Sequence, residues 1–235
     1  MKWCKMIILA LDALDLEQVK KYNCKHLMQE ECGKTDLSDF TQPRTVVLWS
    51  SFLTGKNMEP QIPLKTQWEF KVEPEQTFLK FFETYKTIDV PAFSHKPLHV
   101  KERQLLKGFF EETATVEEFD EIVWKIHEEN KKEFFESVGK FDLLMGYFNL
   151  ADSIGHLSFG ITEKMAKVYQ ELEQMAEKLK DVDDSVLVIS DHGMKAVGRF
   201  GDHNRNGFYS FNYKAGLSMP KVTSFYDLIR SAVEK

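Results

Sequence analysis

Six side chains of the types that bind divalent metals are distributed along this chain of 235 residues. Three are aspartates and three are histidines, namely Asp12, Asp152, His156, Asp191, His192 and His203. A threonine, Thr45, lies between the first and the second of them and follows Pro43 closely, in a sequence typical of a helix start. A hydroxyl among carboxylates and imidazoles is suited to phosphoryl transfer at a pair of metal ions.

The candidate ligands follow apolar runs that predict short buried strands. The three runs, each with the first ligand after it, are residues 6–11 with Asp12, residues 141–151 with Asp152, and residues 185–190 with Asp191. In open parallel α/β sheets, ligands bind in the crevice beyond the carboxyl ends of the strands. The positions of these residues therefore agree with their chemistry.

Four of the ligands form two pairs within short motifs. Neighbouring residues in a strand point to opposite faces, so Asp191 and His192 can serve one metal only if the chain has already left its strand, as Gly193 would permit. Asp152 and His156 are four residues apart and would share one face of a helix, although the glycine before the histidine also fits a tight loop. Either geometry allows a shared ion.

Each residue taken alone also has a purely structural interpretation. Asp12 and Asp152 would serve as turn or helix-cap residues, and His203 as a solvated loop histidine. All of these interpretations would have to hold together, and buried carboxylates beside imidazoles would be costly without a cation. The sequence therefore favours a metal site.

Five segments carry a resemblance to a known family. They are LDALD (11–15), PRTVVLWSSFLTG (43–55), DSIGH (152–156), SDHGM (190–194) and GDHNRNG (201–207). In content and order they resemble the alkaline phosphatase superfamily, in the branch of nucleotide pyrophosphatases and type I phosphodiesterases. The resemblance implies that Asp12, Thr45, Asp191 and His192 surround one metal and that Asp152, His156 and His203 hold the other.

The chemistry explains why such residues are needed. A threonine hydroxyl is a poor nucleophile at neutral pH, and the sequence near Thr45 offers no evident base. Two divalent ions roughly 4 Å apart can clamp the attacking and leaving oxygens of an in-line displacement. Mixed Asp and His ligands favour Zn, then Mn or Fe, over Mg or Ca. The resemblance implies that Thr45 attacks phosphorus, the alcohol leaves beside the second metal, and water hydrolyses a phosphothreonine.

The stretch after the Thr-Gly pair departs from the family. Relatives commonly continue with Pro and His-Gly elements and an Asn that contacts the phosphate, whereas residues 56–68 have no His-Gly and Asn57 comes too early. The substitutes considered for this contact are Lys65, Thr66, Gln67, Arg44, Arg199 and Arg205, with surface positions as the alternative for each arginine. The choice between monoester and diester therefore stays open.

Other functions compete with the leading one, a phosphodiesterase-like phosphoesterase acting on a small phosphate ester or nucleotide-like substrate. A phosphoglycerate mutase-like phosphotransferase would use similar metals but is longer in the relatives of that class. A sulfatase carries Cys or Ser where Thr45 stands. A non-catalytic metal-binding member of the fold would not need the intact nucleophile.

Composition sets further bounds. The net charge of -6 and pI near 5.7 give no basic footprint for nucleic acid. Cys4, Cys24 and Cys32 lack a framework spacing and predict free thiols in a reducing compartment. The apolar run at 6–11 is too short for a signal peptide, and nothing approaches the roughly 20 apolar residues of a membrane helix. We therefore expect no membrane partner and a cytoplasmic location, while the oligomeric state stays open.

The pattern of apolar residues predicts an α/β fold, a mostly parallel central sheet with helices on both faces. Further predicted strands lie at 86–94 and 208–213, and predicted helices at 16–31, 75–85, 116–138, 162–180 and 225–235. Residues 1–235 are expected to form a single catalytic domain with a possible small cap-like insertion around 60–115.

The region around 60–115 is rich in proline and aromatic residues. As the alternative to a cap, its phenylalanines would belong to the core of covering helices, as Phe78, Phe81, Phe82, Phe109 and Phe110. His95 and His99 in SHKPLHV are interpreted as loop histidines, because the ligand pattern is complete without them.

Overall fold

The computed structural model describes residues 5–234. Cys4 and Lys235, which belong to the predicted thiols and the predicted last helix, lie outside the described residues. Within that range the chain forms eight strands, β1 (Met6–Leu11), β2 (Glu31–Lys34), β3 (Tyr85–Ile88), β4 (Leu143–Phe148), β5 (Ser185–Ile189), β6 (Met194–Val197), β7 (Phe200–His203) and β8 (Phe208–Phe211). Six of them build the central sheet, and β6 pairs with β7 as a separate hairpin.

The central sheet has the strand order β2-β8-β5-β1-β4-β3. The four strands β3, β4, β1 and β5 are parallel, and β8 runs antiparallel to both of its neighbours. Strand β1 lies in the middle, where all six of its residues are buried. A strand buried on both faces reads as a continuous apolar run, which is why MIILAL is so uniform. The predicted fold class is confirmed.

Helices cover both faces of this sheet. The α-helices of the described residues are α1 (Leu16–Lys21), α2 (Lys25–Met28), α3 (Thr45–Thr54), α4 (His99–Phe110), α5 (Val116–Ser137), α6 (Leu150–Ser158), α7 (Thr162–Glu177) and α8 (Ser224–Val233). Short 3-10 helices lie at Glu59–Gln61, Leu64–Glu69, Pro74–Gln76 and Phe78–Phe81.

Two hydrophobic layers follow from the alternation of side chains along the strands. Ile8 and Ala10 of β1 face one layer, which packs against α3 and α8. Ile7 and Leu9 face the other layer, which packs against α5, α6 and α7. The sheet is therefore held between two cores, and its carboxyl edge is left for the polar residues that follow the strands.

Two predicted helices are wrong. Residues 16–31 form two short helices and the start of β2, because Tyr22 caps α1 and Asn23 adopts a left-handed φ of 56°. Residues 75–85 form 3-10 turns and enter β3, since Pro74 begins one turn and Thr77 begins the next. The helices at 116–138, 162–180 and 225–235 are present within a few residues of their predicted ends.

The region around 60–115 contributes β3 to the main sheet and packs α4 against α5. Phe78 and Phe82 are buried as expected of core residues, but Phe110 is 62% exposed at the end of α4, so its core assignment is wrong. The cap-like insertion and the single-domain organisation stay predictions. Among the described residues, no helix combines the length and apolarity that crossing a bilayer requires.

Candidate metal centre and active site

The six predicted ligands meet at the carboxyl edge of the sheet. Asp12 follows β1, where its amide donates to the Phe148 carbonyl at the end of β4. Asp191 and His192 follow β5 after the chain has left the strand, and His203 ends β7. Asp152 and His156 lie one turn apart on α6, so the helical alternative for this pair is the observed one.

The first group consists of Asp12, Asp191 and His192. The His192 Nε2 atom lies 3.3 Å from Asp12 Oδ1 and 3.5 Å from Asp191 Oδ2. All three side chains are buried, and their ligand atoms lie within 4.8 Å of one another. This spacing suits three ligands around one cation.

The second group consists of Asp152, His156 and His203. Asp152 Oδ1 lies 3.4 Å from His156 Nε2 and 3.2 Å from His203 Nε2. The two Nε2 atoms are 3.2 Å apart and face each other. The hairpin β6–β7 therefore delivers His203 to the residues that α6 presents.

Backbone carbonyls orient all three imidazoles. His203 Nδ1 lies 2.8 Å from the Pro43 carbonyl oxygen, and His192 Nδ1 lies 3.1 Å from that of Gly193. His156 has a backbone hydrogen bond to Gly201. A carbonyl can only accept, so a proton on the bonded nitrogen leaves the other nitrogen with a lone pair for a metal. The Pro43 contact also ties the second group to the segment that carries Thr45.

The rings of His192 and His203 stack on each other. Their centroids are 3.8 Å apart with an interplanar angle of 23°. The lone pair of an imidazole nitrogen lies in the ring plane, so two nearly parallel rings direct their lone pairs past each other. This arrangement fits ligands of two separate ions.

Several polar atoms of the site are buried without a hydrogen-bond partner. They are Asp12 Oδ1, both carboxylate oxygens of Asp191, Asp152 Oδ1 and His192 Nε2. Such atoms are costly inside a protein unless a cation binds them. The donor set therefore fits divalent metal ions.

The pKa values show the same strain. Burial, followed by the charge of Asp152, raises the pKa of Asp12 to about 7. Burial and the charges of Asp12 and Asp152 raise the pKa of Asp191 well above its ordinary value. Burial lowers the pKa of His192 to about 3, so this imidazole is neutral and free to bind a metal. Cations would allow Asp12 and Asp191 to stay ionised beside Asp152.

A cavity of about 180 Å³ opens beside the second group. Thr45, the first residue of α3, lines it together with Asp152, His156 and His203. The amides in the first turn of a helix have no partner within the helix and attract anions. Thr45 therefore brings its hydroxyl and the free amides at the start of α3 to the cavity that the second group of ligands lines.

The predicted substrate-binding residues lie elsewhere. Arg44 donates to the Ile62 carbonyl at 3.0 Å, and Arg205 donates to the carbonyls of Phe40 and Thr41. Lys65 is exposed in a 3-10 helix. Like Thr66, Gln67 and Arg199, these residues are absent from the lining of the cavity beside Thr45.

Most of the residues in the cavity wall were not predicted from the sequence. Its further lining residues are Trp68, His95, His99, Glu102, Arg103, Leu106, Tyr147, Asn149 and Ser153. The Arg103 guanidinium lies 4.3 Å from the centre of the Trp68 ring. The helical spacing of His99, Glu102, Arg103 and Leu106 was the available signal, because it puts all four on one face of α4.

The interpretation as loop histidines is confirmed for His95 and wrong for His99. His99 begins α4 and is buried between Asp89 and Glu102, with contacts of 2.7 Å and 2.5 Å. His95 lies in the loop before α4 and contacts Asp89 at 3.2 Å. Buried carboxylates fix both rings, which sequence spacing does not reveal.

Tyr147 links the cavity to the first group of ligands. Its hydroxyl donates to Asp12 Oδ2 at 2.5 Å, and its ring packs edge-on against Trp49. Metal-bound carboxylates are commonly held by such second partners. Tyr147 therefore fixes the orientation of Asp12.

No curated protein matches the sequence. Murine ectonucleotide pyrophosphatase/phosphodiesterase 5 superposes with a TM-score of 0.48 at 12% identity, over 83% of this chain and 58% of that one. An inactive form of it in complex with AMP gives 0.47 at 10% identity, over 85% and 59%. A sulfatase from Pseudoalteromonas sp. gives 0.45 at 11% identity, over 97% and 67%.

This chain thus spans about three fifths of the length of the pyrophosphatase chains. The model of the type I phosphodiesterase/nucleotide pyrophosphatase family matches residues 64–208, more than half of the chain. The match includes Asp152, His156, Asp191, His192 and His203, whereas Asp12 and Thr45 precede it. The chain belongs to the type I phosphodiesterase/nucleotide pyrophosphatase family.

Proposed function

We propose that the protein is a metal-dependent phosphoesterase that uses Thr45 as its nucleophile and passes through a phosphothreonine. Asp12, Asp191 and His192, with the Thr45 oxygen, hold one divalent ion, and Asp152, His156 and His203 hold the other. Zinc is the first candidate for both ions, with manganese or iron as alternatives, because the ligands mix nitrogen and oxygen. The proposed substrate is a small phosphate ester or nucleotide-like molecule.

One observation carries this proposal. Buried oxygens of three aspartates and the Nε2 atom of His192 have no hydrogen-bond partner. One of these aspartates, Asp152, lines the same cavity as Thr45, the residue that opens α3. Family membership agrees with the chemistry of that arrangement. The cavity of about 180 Å³ is sized for a phosphoryl group with a small substituent.

The residues of the chain divide the work of the reaction. The Thr45 oxygen attacks phosphorus, and the free amides at the start of α3 bind the oxygens of the phosphoryl group. The leaving oxygen departs into the cavity on the side of Asp152 and His156, and water enters from the same side to release phosphate from Thr45. The bound metals would favour ionisation of the threonine hydroxyl and offset the charge on the phosphoryl oxygens.

Substitution of the proposed nucleophile tests the proposal. Metal-loaded protein is assayed with nitrophenyl phosphate and bis-nitrophenyl phosphate, beside Thr45→Ala and the matched control Thr162→Ala. Thr162 also begins a helix, α7, but is exposed and lies outside the cavity lining. Loss of a nucleophile typically costs several orders of magnitude in kcat.

We expect Thr45→Ala to abolish turnover of whichever ester is cleaved while the bound metal is retained, with Thr162→Ala unchanged. Full activity in Thr45→Ala would contradict the assignment of the nucleophile. No turnover of either ester with zinc, manganese or iron would contradict the proposed function itself.

A further inference from the structure

A buried network of charges forms part of the wall of the cavity. His99 uses both ring nitrogens, with Nε2 2.7 Å from Asp89 Oδ2 and Nδ1 2.5 Å from Glu102 Oε2. Glu102 also accepts from Asn149 at 2.8 Å and from Ser153. His99 is therefore fully engaged and serves to fix the two carboxylates.

His95 differs from its neighbour in one respect. Its Nδ1 atom is held 3.2 Å from Asp89 Oδ1, but its Nε2 atom is buried with no hydrogen-bond partner. The ring lines the same cavity as Thr45. A buried ring nitrogen without a partner is costly, and a group that enters the cavity would supply the missing partner.

The orientation of the His95 ring is restricted on both faces. The His99 ring stacks on it at 4.1 Å and 11°, and the Trp68 ring stacks on it at 5.7 Å and 17°. Two large rings cannot stack on one face of an imidazole, so they cover opposite faces. With Nδ1 bound to Asp89, the edge that carries Nε2 is the part of His95 left for a ligand.

A metal ion does not explain this arrangement. Asp89, His95 and His99 are close enough to be considered as ligands of one ion. An imidazole binds a metal in the plane of its ring, and two parallel planes about 4 Å apart share no point. Asp89 also already accepts from the Lys96 amide and the Asn130 side chain.

We propose that His95 is a catalytic residue that moves a proton at the leaving oxygen, an inference that rests on the proposed phosphoesterase function. In the first half-reaction the Thr45 oxygen, already deprotonated, forms its bond to phosphorus. The bond from phosphorus to the leaving oxygen breaks, its electron pair stays on that oxygen, and the oxygen takes the proton from His95 Nε2. The product alcohol is neutral, and His95 is left neutral.

The second half-reaction restores the starting state. Water attacks the phosphothreonine from the side that the alcohol left, and its proton passes to His95 Nε2 as the bond to phosphorus forms. The bond from phosphorus to the Thr45 oxygen breaks, and that oxygen leaves with its electron pair. One group thus serves as acid and then as base, with Asp89 holding the ring in place.

Charged and aromatic side chains surround His95. Asp89 and His99 contact its ring, and Glu102 contacts His99. The Tyr147 ring lies 6.2 Å away, and Arg103 lies beyond Trp68.

A comparison of leaving groups tests the inference. Nitrophenolate leaves readily without a proton, whereas phenolate benefits from one, so kcat/KM is measured for the nitrophenyl and phenyl esters of one phosphoryl group. For His95→Gln we expect kcat/KM to fall about 100-fold for the phenyl ester and less than about threefold for the nitrophenyl ester. His26→Gln, which removes a histidine paired with Glu173 away from the cavity, should change neither.

The second half-reaction gives an independent readout. With the nitrophenyl ester, His95→Gln should release a burst of nitrophenolate and accumulate phosphothreonine, visible as a mass increase of the intact protein. Added imidazole should restore turnover of the phenyl ester by His95→Ala. A merely structural role for His95 would produce none of these effects.

The outcomes separate this inference from the proposed function. Equal losses on both esters, or no loss on either, with an active wild-type protein would overturn the role of His95 and leave the phosphoesterase intact. A wild-type protein that cleaves neither ester would overturn both.

Discussion

Three carboxylates and three imidazoles are concentrated in the candidate metal centre, and the burial of most of them decides how the site behaves. Asp12 and Asp191 are buried next to each other, and the pKa of each is raised mainly by burial. The pKa of Asp152 is held well below its ordinary value by His156 and His203, although burial acts in the opposite direction. Without cations Asp12 and Asp191 therefore oppose folding, whereas bound cations would stabilise the folded protein.

Asp191→Asn tests this change of sign. In metal-free protein the substitution removes a buried like charge, so the free energy of unfolding should rise by about 1 kcal/mol or more. In zinc-loaded protein it removes a ligand, so the free energy of unfolding should fall. Urea titrations with chelator and with zinc measure both. Asp183→Asn, at an exposed residue just before β5, is the control. Destabilisation of Asp191→Asn in both conditions would argue against the metal assignment.

Tyr147→Phe tests the second partner of a ligand. The substitution removes the 2.5 Å hydrogen bond to Asp12 and keeps the ring packed against Trp49. Loss of such a partner typically weakens metal binding by about 10- to 100-fold. Competition of the protein with a zinc-binding dye measures the change, and Tyr85→Phe in β3 is the matched control. Unchanged zinc affinity in Tyr147→Phe would show that Asp12 is oriented without it.

At the scale of the elements, each ligand comes from the end of a strand or the face of a helix. Strands β1, β4 and β5 could be predicted from the sequence, because parallel strands buried on both faces consist of continuous apolar residues. The helix alternative for Asp152 and His156 was likewise available from their spacing. The position of α4 in the fold could not be predicted, because its amphipathic pattern does not show which other element it packs against.

The charge of His99 in α4 should make the stability of the protein depend on pH. Asp89 and Glu102 raise the pKa of His99 from 6.5 to about 9, although burial acts to lower it. A pKa raised on folding means that the stability from His99 is fully present below pH 6.5 and is lost as the pH rises through about 9. Asp89, whose pKa is lowered, contributes throughout this window, above its ordinary value of 3.8.

We therefore expect the unfolding free energy of metal-free protein to fall by on the order of 3 kcal/mol between pH 7 and 10. The thermal midpoint, which is the quantity measured, should fall with it. His99→Gln should start from a lower midpoint and lose this part of the pH dependence. Parallel pH profiles of the wild type and the variant would contradict the assignment of the charge to His99.

At the scale of the whole molecule, residues far apart in sequence are brought to one edge of the sheet. Asp12 and Asp191 lie at this edge because they follow β1 and β5, which are adjacent strands. The contact of Pro43 with His203 holds the segment that carries Thr45 at the same edge. The motifs identified this set before the fold was known, because metal ligands have few substitutes. Trp68, His95 and Arg103 could not be identified in that way, since their place beside Thr45 depends on how α4 and the preceding turns pack.

Metal stoichiometry is the measurement that tests the central claim most directly. Purified protein is stripped with chelator, reloaded with zinc, freed of excess metal and analysed for zinc per chain. We predict two zinc ions per chain for the wild type. We predict one zinc ion per chain for each of the single variants His203→Ala and Asp191→Ala, because each removes a ligand from a different group. One ion or none in the wild type, or two ions kept in either variant, would contradict a two-metal site built from these residues.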